Sequence, residues 1–362
     1  MSSPEKHLSA ALLSHKPYTP GIQPNFTERV IKLNTNENPF PPSEKVREKV
    51  LSEIESLNLY PSPRSSALRD FVANLHSLAE NQVIIGNGSD DLLNLCVRCF
   101  ADENLKVGML APSYSLYETL ASIQGAKVVG ISFANENFEL PVEGIVSSGV
   151  NLFFLTSPHA PSGKEYGLAE LEEVLQGFSG IMVIDEAYAD FAGHHAIPLL
   201  SKYPNLIITR TLSKSYSLAG LRVGYALASP ALVEVLDQAR EVYNLDRLAQ
   251  AGALAALSDR EYFQSTQSQI IKLREGLREE FIVLGWHTIP SGANFLFTKP
   301  SRQGETGPEV ASDLYEFLHN RGILVRYFPK SHLTESYLRI SIGKQAEMRI
   351  LMDRIREWQT QE

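Results

Sequence analysis

The sequence predicts an α/β fold, with a large domain on a mostly parallel sheet followed by a smaller α/β C-terminal domain. Three observations predict it. Short apolar runs at 82–85, 106–110, 126–132, 151–156, 181–185 and 205–209 alternate with helical patterns such as 168–176, the signature of parallel strands covered on both faces. After about residue 245 the texture becomes helix-rich (248–257 and 262–284). It then returns to strand patterns at 294–298, 323–328 and 337–342, flanked by helices at 309–320 and 345–358. The chain's 362 residues, 43% of them hydrophobic, suffice for a large core and more than one domain. The expected division is an N-terminal arm over 1–32, a large domain over 33–245 and a small domain over 246–362.

Residues 1–32 have little periodicity and carry Pro17, Pro20, Gly21 and Pro24, which reads as an extended arm lying on something, such as a partner subunit. Leu33–Phe40, with its N-x-N-E-N-P string, is too polar for a core element and reads as a turn. Residues 43–56 have helical spacing with Ser43 as N-cap, Tyr60-Pro61 opens a loop, and 68–78 is a second amphipathic helix. The strand at 82–85 runs into Gly86-Asn87-Gly88-Ser89-Asp90-Asp91 and a helix from about Leu92. Strand, small-residue turn and helix N-terminus present backbone N–H groups to an anion, although many such turns bind nothing. It is no dinucleotide fingerprint, which would need glycine at Asp91, and no Walker lysine follows.

A net charge of −9 argues against nucleic acid or an anionic membrane as partner, so anionic substrates must meet locally placed arginines. No apolar run is long enough to span a bilayer, and Leu8–Leu13 is too short for a secretory leader, which makes the cytoplasm the expected compartment. Cys96 and Cys99 fall inside an apolar helix pattern and read as buried thiols. His194-His195 reads as loop, because adjacent residues diverge too far to grip one metal; no metal site is expected.

The most informative stretch is Thr209–Tyr225, which links the run 205–208 to another apolar strand at 223–228. A lysine in a polar loop is by itself a solvated group. Here it stands in Ser-Lys-x-x-x-Leu-Ala-Gly-Leu-Arg-x-Gly, preceded by Val183-Ile184-Asp185-Glu186-Ala187-Tyr188 at the end of the strand 181–185. A carboxylate there is costly to bury without a cationic partner. Arg339 lies among apolar residues in a strand pattern, where a guanidinium calls for a planar anion, and Arg326 precedes it in G-I-L-V-R.

Together these motifs, covering residues 18–343, resemble the fold-type-I, pyridoxal-phosphate-dependent aminotransferases, and most closely their histidinol-phosphate branch. The resemblance implies that Lys214 forms the Schiff base with pyridoxal 5'-phosphate and exchanges protons with the substrate. It implies Gly88, Ser89 and Arg222 at the cofactor phosphate, Thr211 and Ser213 as further cofactor contacts, Tyr114 stacked on the ring and Asp185 on the ring nitrogen. Tyr188 would bond the phenolic oxygen, and Tyr60 would reach the phosphate across a homodimer. Tyr18, Asn36, Arg326 and Arg339 would contact the substrate. One departure stands out: Ser157-Pro158-His159-Ala160-Pro161-Ser162-Gly163 replaces the family's S-P-N-N-P-T-G, so Ala160 stands where an asparagine donates to the phenolic oxygen, with His159 as the nearby residue that could compensate. The implied activity is amino transfer between histidinol phosphate and 2-oxoglutarate. Aromatic amino-acid transamination, threonine-phosphate decarboxylation and a non-catalytic cofactor-binding protein are the alternatives.

Overall fold

The computed structural model describes residues 4–13, 15, 17–18, 21–24 and 30–360, so part of the expected arm lies outside the described residues. Seven strands form the main sheet: β2 (Val83–Gly86), β3 (Lys106–Ala111), β4 (Lys127–Ser132), β5 (Leu152–Thr156), β6 (Ile181–Asp185), β7 (Leu206–Thr211) and β8 (Gly224–Ala228), with β1 (Ile31–Lys32) preceding them in the chain. Their order is β2-β8-β7-β6-β5-β3-β4. The pairs from β7 through β4 are parallel, while β8 runs antiparallel to both β7 and β2. β5 to β8 are buried almost throughout, as strands covered on both faces must be. The reversal at β8 matters for function. The chain leaves β7 at Thr211 and returns to its neighbour at Gly224, and the intervening loop carries Lys214 back over the carboxyl edge of the sheet.

Past this sheet, β9 (His287–Ile289), β10 (Phe295–Lys299), β12 (Arg326–Tyr327) and β13 (Leu338–Ser341) make a four-stranded antiparallel sheet, between which β11 (Ile323–Leu324) falls in the chain. The strand expected over 323–328 is thus two: β11 pairs with β1, and after Val325 the chain turns to pair β12 with β13. Trp286, Trp358, Phe281, Leu314 and Met352 form the core on this side.

The helix Arg247–Ser258 places Ala249, Ala253 and Leu257 in the core of the large sheet, where it packs on the helix Glu44–Glu53. Its Asp246 caps it by accepting from Ala249 N–H at 2.9 Å. The changeover runs along the 24-residue helix Arg260–Val283: Phe263 belongs to the first core, Ile270, Leu277 and Phe281 to the second. Leu33 is likewise buried in the second core, and its backbone bonds Leu324 and Ser341, so residues 31–33 attach to the smaller sheet. Cys96 is buried and Cys99 half-buried on the helix Ser89–Phe100, as expected of packing thiols.

Candidate active site

One cavity of about 1150 Å³ opens over the carboxyl ends of β5, β6 and β7 and reaches the smaller sheet, placing a site where open α/β sheets bind ligands. Its floor at one end is built for an anion. Gly88 adopts φ +83°, and Ser89 opens a 12-residue helix whose first N–H groups are free to donate. Arg222 sits in the left-handed region at φ 52°, which turns its guanidinium back onto the loop. There it donates to Ser213 Oγ at 3.2 Å and pairs with Asp90 at 3.0 Å. Thr211 Oγ1 donates to Ser213 Oγ at 3.0 Å and accepts from Ser213 N–H at 3.1 Å. Two glycines permit this approach. A Cβ on Gly88 would stand 2.6 Å from Arg222 Nη2, and one on Gly224 would stand 2.5 Å from Ser89 N. Hydroxyls, helix N–H groups and a guanidinium around a space kept clear of Cβ atoms fit a phosphate.

Asp185, the last residue of β6, is buried and faces the same cavity. Its carboxylate accepts from Tyr117 Oη at 2.7 Å, Thr209 Oγ1 at 3.2 Å and Ala187 N–H at 3.2 Å. Burial nevertheless pushes it up to about 6. An anionic acceptor in this position fits a protonated ring nitrogen. Tyr114 lies edge-on to Tyr117 at 5.5 Å, and burial pushes its phenol far above the usual range, so it is a neutral ring surface. Tyr117 and Thr209 were not singled out in the sequence; a tyrosine one helical turn beyond Tyr114 was the one available signal.

Lys214 Nζ donates to the Thr35 carbonyl at 3.1 Å and lies 5.8 Å from the centre of the Tyr188 ring. The loop is pinned by Asn38, whose Nδ2 donates to the carbonyls of Lys214 at 2.9 Å and Ser215 at 3.1 Å. Asn38 was thus a functional member of the N-x-N-E-N-P string that sequence reasoning passed over. Asn36 bonds Tyr188 Oη through its Nδ2 at 2.9 Å and accepts from Ser341 Oγ at 2.8 Å, while its carbonyl accepts from Asn294 at 2.9 Å. It bridges the two sheets beside the cavity, and its amide is already engaged.

Ala160 lines the cavity within a small apolar group of Tyr188, Ala293 and Phe295. His159 does not compensate for the missing asparagine. Its ring is fully buried against Phe133 and Phe138, and its nitrogens contact Ser162 Oγ at 2.8 Å and the Pro112 carbonyl at 3.0 Å. Burial pushes it down to about 3, so it is a neutral packing residue.

At the opposite end, Arg326 and Arg339 are register partners across β12 and β13, and both line the cavity with Tyr18. Arg339 donates to the Asn34 carbonyl at 3.0 Å and lies over Phe295 and Phe328 at 5.2 and 5.3 Å. Burial lowers its affinity for its proton, and the neighbouring Arg326 adds to this. Its Nε has no hydrogen-bond partner among the described residues. Two half-buried guanidiniums on neighbouring strands at this end of the cavity suit a bound anion. Tyr60 is 78% exposed, stacks on Tyr243 at 4.5 Å and does not line the cavity of its own chain.

Residues 28–355 match the family model for aminotransferase class I and II. The histidinol-phosphate aminotransferase of Geotalea uraniireducens is 43% identical over 346 residues, 94% of this chain and 96% of that one. Its namesake in Geotalea daltonii is 45% identical over 333 residues, covering 91% and 93%. Among solved structures, histidinol-phosphate aminotransferase from Sinorhizobium meliloti in complex with pyridoxal-5'-phosphate superposes with a TM-score of 0.83 at 25% identity, covering 91% of each chain. With the lysine, the buried carboxylate and the phosphate cradle facing one cavity, the chain belongs to the class I and II aminotransferases.

Proposed function

We propose that the chain moves an amino group between L-histidinol phosphate and 2-oxoglutarate, the transamination step of histidine biosynthesis. The observation that carries this reading is the second anion site. Arg326 and Arg339 face the cavity from the smaller sheet, opposite the Arg222 cradle, and suit the phosphate of the donor and a carboxylate of the acceptor in turn. Relatives of that name at 43% and 45% identity support it.

Pyridoxal 5'-phosphate supplies the electron sink for the Cα carbanion. This chain's residues do the rest. Ser89, Thr211, Ser213 and Arg222 hold the phosphate beside Gly88. Asp185 keeps the ring nitrogen protonated, with Tyr117 and Thr209 fixing the carboxylate. Lys214 would hold the cofactor aldehyde between turnovers, and its free amine would take up and release the proton at the substrate Cα. Tyr114 covers the ring, and Tyr188, oriented by Asn36, donates to the phenolic oxygen. Tyr18 borders the substrate end.

The working unit is a homodimer in the cytoplasm, acting on small molecules. Tyr60 of a second copy reaches the phosphate cradle, which accounts for its exposure here. An amino-donor panel with 2-oxoglutarate tests the reading: histidinol phosphate should give the highest kcat/KM and one glutamate per turnover. Preference for phenylalanine or tyrosine would assign an aromatic aminotransferase, carbon dioxide release from threonine phosphate a decarboxylase, and no glutamate from any donor a non-catalytic binder.

A further inference from the structure

Behind the cavity lies a buried charge cluster that the transamination reading leaves without a role. Arg210 stands between Thr209 and Thr211 on β7, and strand alternation turns it away from the side those threonines share with Asp185. Its Nε and Nη2 both meet Glu186 Oε2 at 2.7 Å, and its Nη1 meets Asp190 Oδ1 at 2.9 Å. Arg210 and Glu186 are buried. The other Glu186 oxygen accepts from Ala196 N–H, and the other Asp190 oxygen accepts from Ser215 Oγ. The Asp190 carbonyl accepts from Gln267 on the helix Arg260–Val283. None of Arg210, Glu186 and Asp190 lines the cavity.

The connectivity is what calls for explanation. Glu186 follows Asp185, and Ser215 follows Lys214, so each end of the cluster is one residue from a group facing the cavity. A buried ion cluster adds little stability over well-packed apolar residues of similar volume, but its charge-assisted bonds are directional and fix the groups they join. Asn38 already pins the Lys214 and Ser215 carbonyls from one side. The Ser215 hydroxyl is the tie on the other.

We propose that Arg210, Glu186 and Asp190 are a positioning brace that holds Lys214 in register with Asp185, so that amine and carboxylate address one bound ring. None of the three touches the reacting atoms; each acts through Ser215 or through the backbone at Asp185. The inference rests on Lys214 being the cofactor lysine.

Ser215→Ala removes the tie and leaves the Asn38 contacts, which are to backbone. In the holoenzyme its kcat should fall about tenfold, the effect of losing one charge-assisted hydrogen bond, with KM for 2-oxoglutarate within about twofold of wild type. The visible circular dichroism of the bound cofactor, which reports its orientation, should change as well. Asp190→Asn should shift both readouts in the same direction. Because the two residues share one bond, the double variant should fall no more than about twofold below the weaker single. Wild-type kcat and dichroism in Ser215→Ala, whatever its melting temperature, would overturn the brace, and so would losses that multiply in the double variant. If Asp190→Asn does not fold, Ser215→Ala decides alone. If borohydride reduction of the wild type labels a lysine other than Lys214, the cofactor assignment fails instead, which distinguishes the two.

Discussion

Replacing Asp185 with asparagine should make the cofactor-free protein more stable at about pH 8 while changing it little at about pH 4. The reasoning starts from burial, which pushes the carboxyl from its ordinary 3.8 up to about 6 although Tyr117, Thr209 and the Ala187 N–H all favour the anion. A carboxyl raised in the folded state folds best when protonated. The stability it contributes is therefore complete below its unfolded value of about 4 and is lost as pH rises through about 6. At about 1.4 kcal/mol per pH unit, that interval corresponds to about 3 kcal/mol. The figure is a ceiling, because an asparagine amide accepts fewer of the three hydrogen bonds than the carboxylate does. Urea unfolding of cofactor-free wild type and Asp185→Asn across this pH range measures it, and taking the difference at each pH cancels the groups common to both. The gap should open between about pH 4 and 6 and stay level above. Adding pyridoxal phosphate should reverse the ranking, because the anion then faces a protonated ring nitrogen and the amide does not. A gap independent of pH would refute the reasoning.

Four further outcomes follow from the site. Arg339→Ala should lower kcat/KM about 10- to 100-fold in both half-reactions, the loss of about 1.5–3 kcal/mol for a charge-assisted contact, measured by single-turnover absorbance; unchanged kinetics with both substrates would make it a structural residue. Mixing wild type with a Tyr60→Phe, Arg222→Ala double variant should give activities that follow shared-site statistics, and a fully active monomer by light scattering would exclude this arrangement. His159→Ala should destabilise the fold by about 1–3 kcal/mol through the polar contacts it abandons, yet leave the pH midpoint of the cofactor's visible band in place. Ala160→Asn should move that midpoint downward by about one unit.

Much of the architecture was legible because it follows from local pattern. The apolar runs that became β3, β5, β6 and β7 are buried on both faces, and such strands read directly as short hydrophobic stretches between helical periods. The antiparallel sense of β8 carries no local mark, since direction is set by the path of the loop that holds Lys214. The same limit governs the site. Lys214, Asp185 and Arg222 stand in dense motifs, whereas Tyr117 acquires meaning only because the fold sets it 2.7 Å from an aspartate 68 residues away. Asn38 is the more distant case, meeting a lysine backbone 176 residues on. His159 shows the converse: a polar residue beside a motif, suggestive in sequence, whose side chain the fold commits to the core.

The pairing of β2 with β8 bears on how the protein is assembled. The phosphate cradle takes Gly88 and Ser89 from just past β2, and Arg222 from just before β8, and the two strands meet with Gly86 opposite Gly224. Before that contact forms, the chain holds two incomplete halves far apart in sequence, and closing so long a loop is among the slower steps a chain can take. The cofactor can bind tightly only to a molecule that has completed it. By mass action, cofactor binding would then stabilise the molecules in which this pairing, the most distant in sequence within the large sheet, is complete.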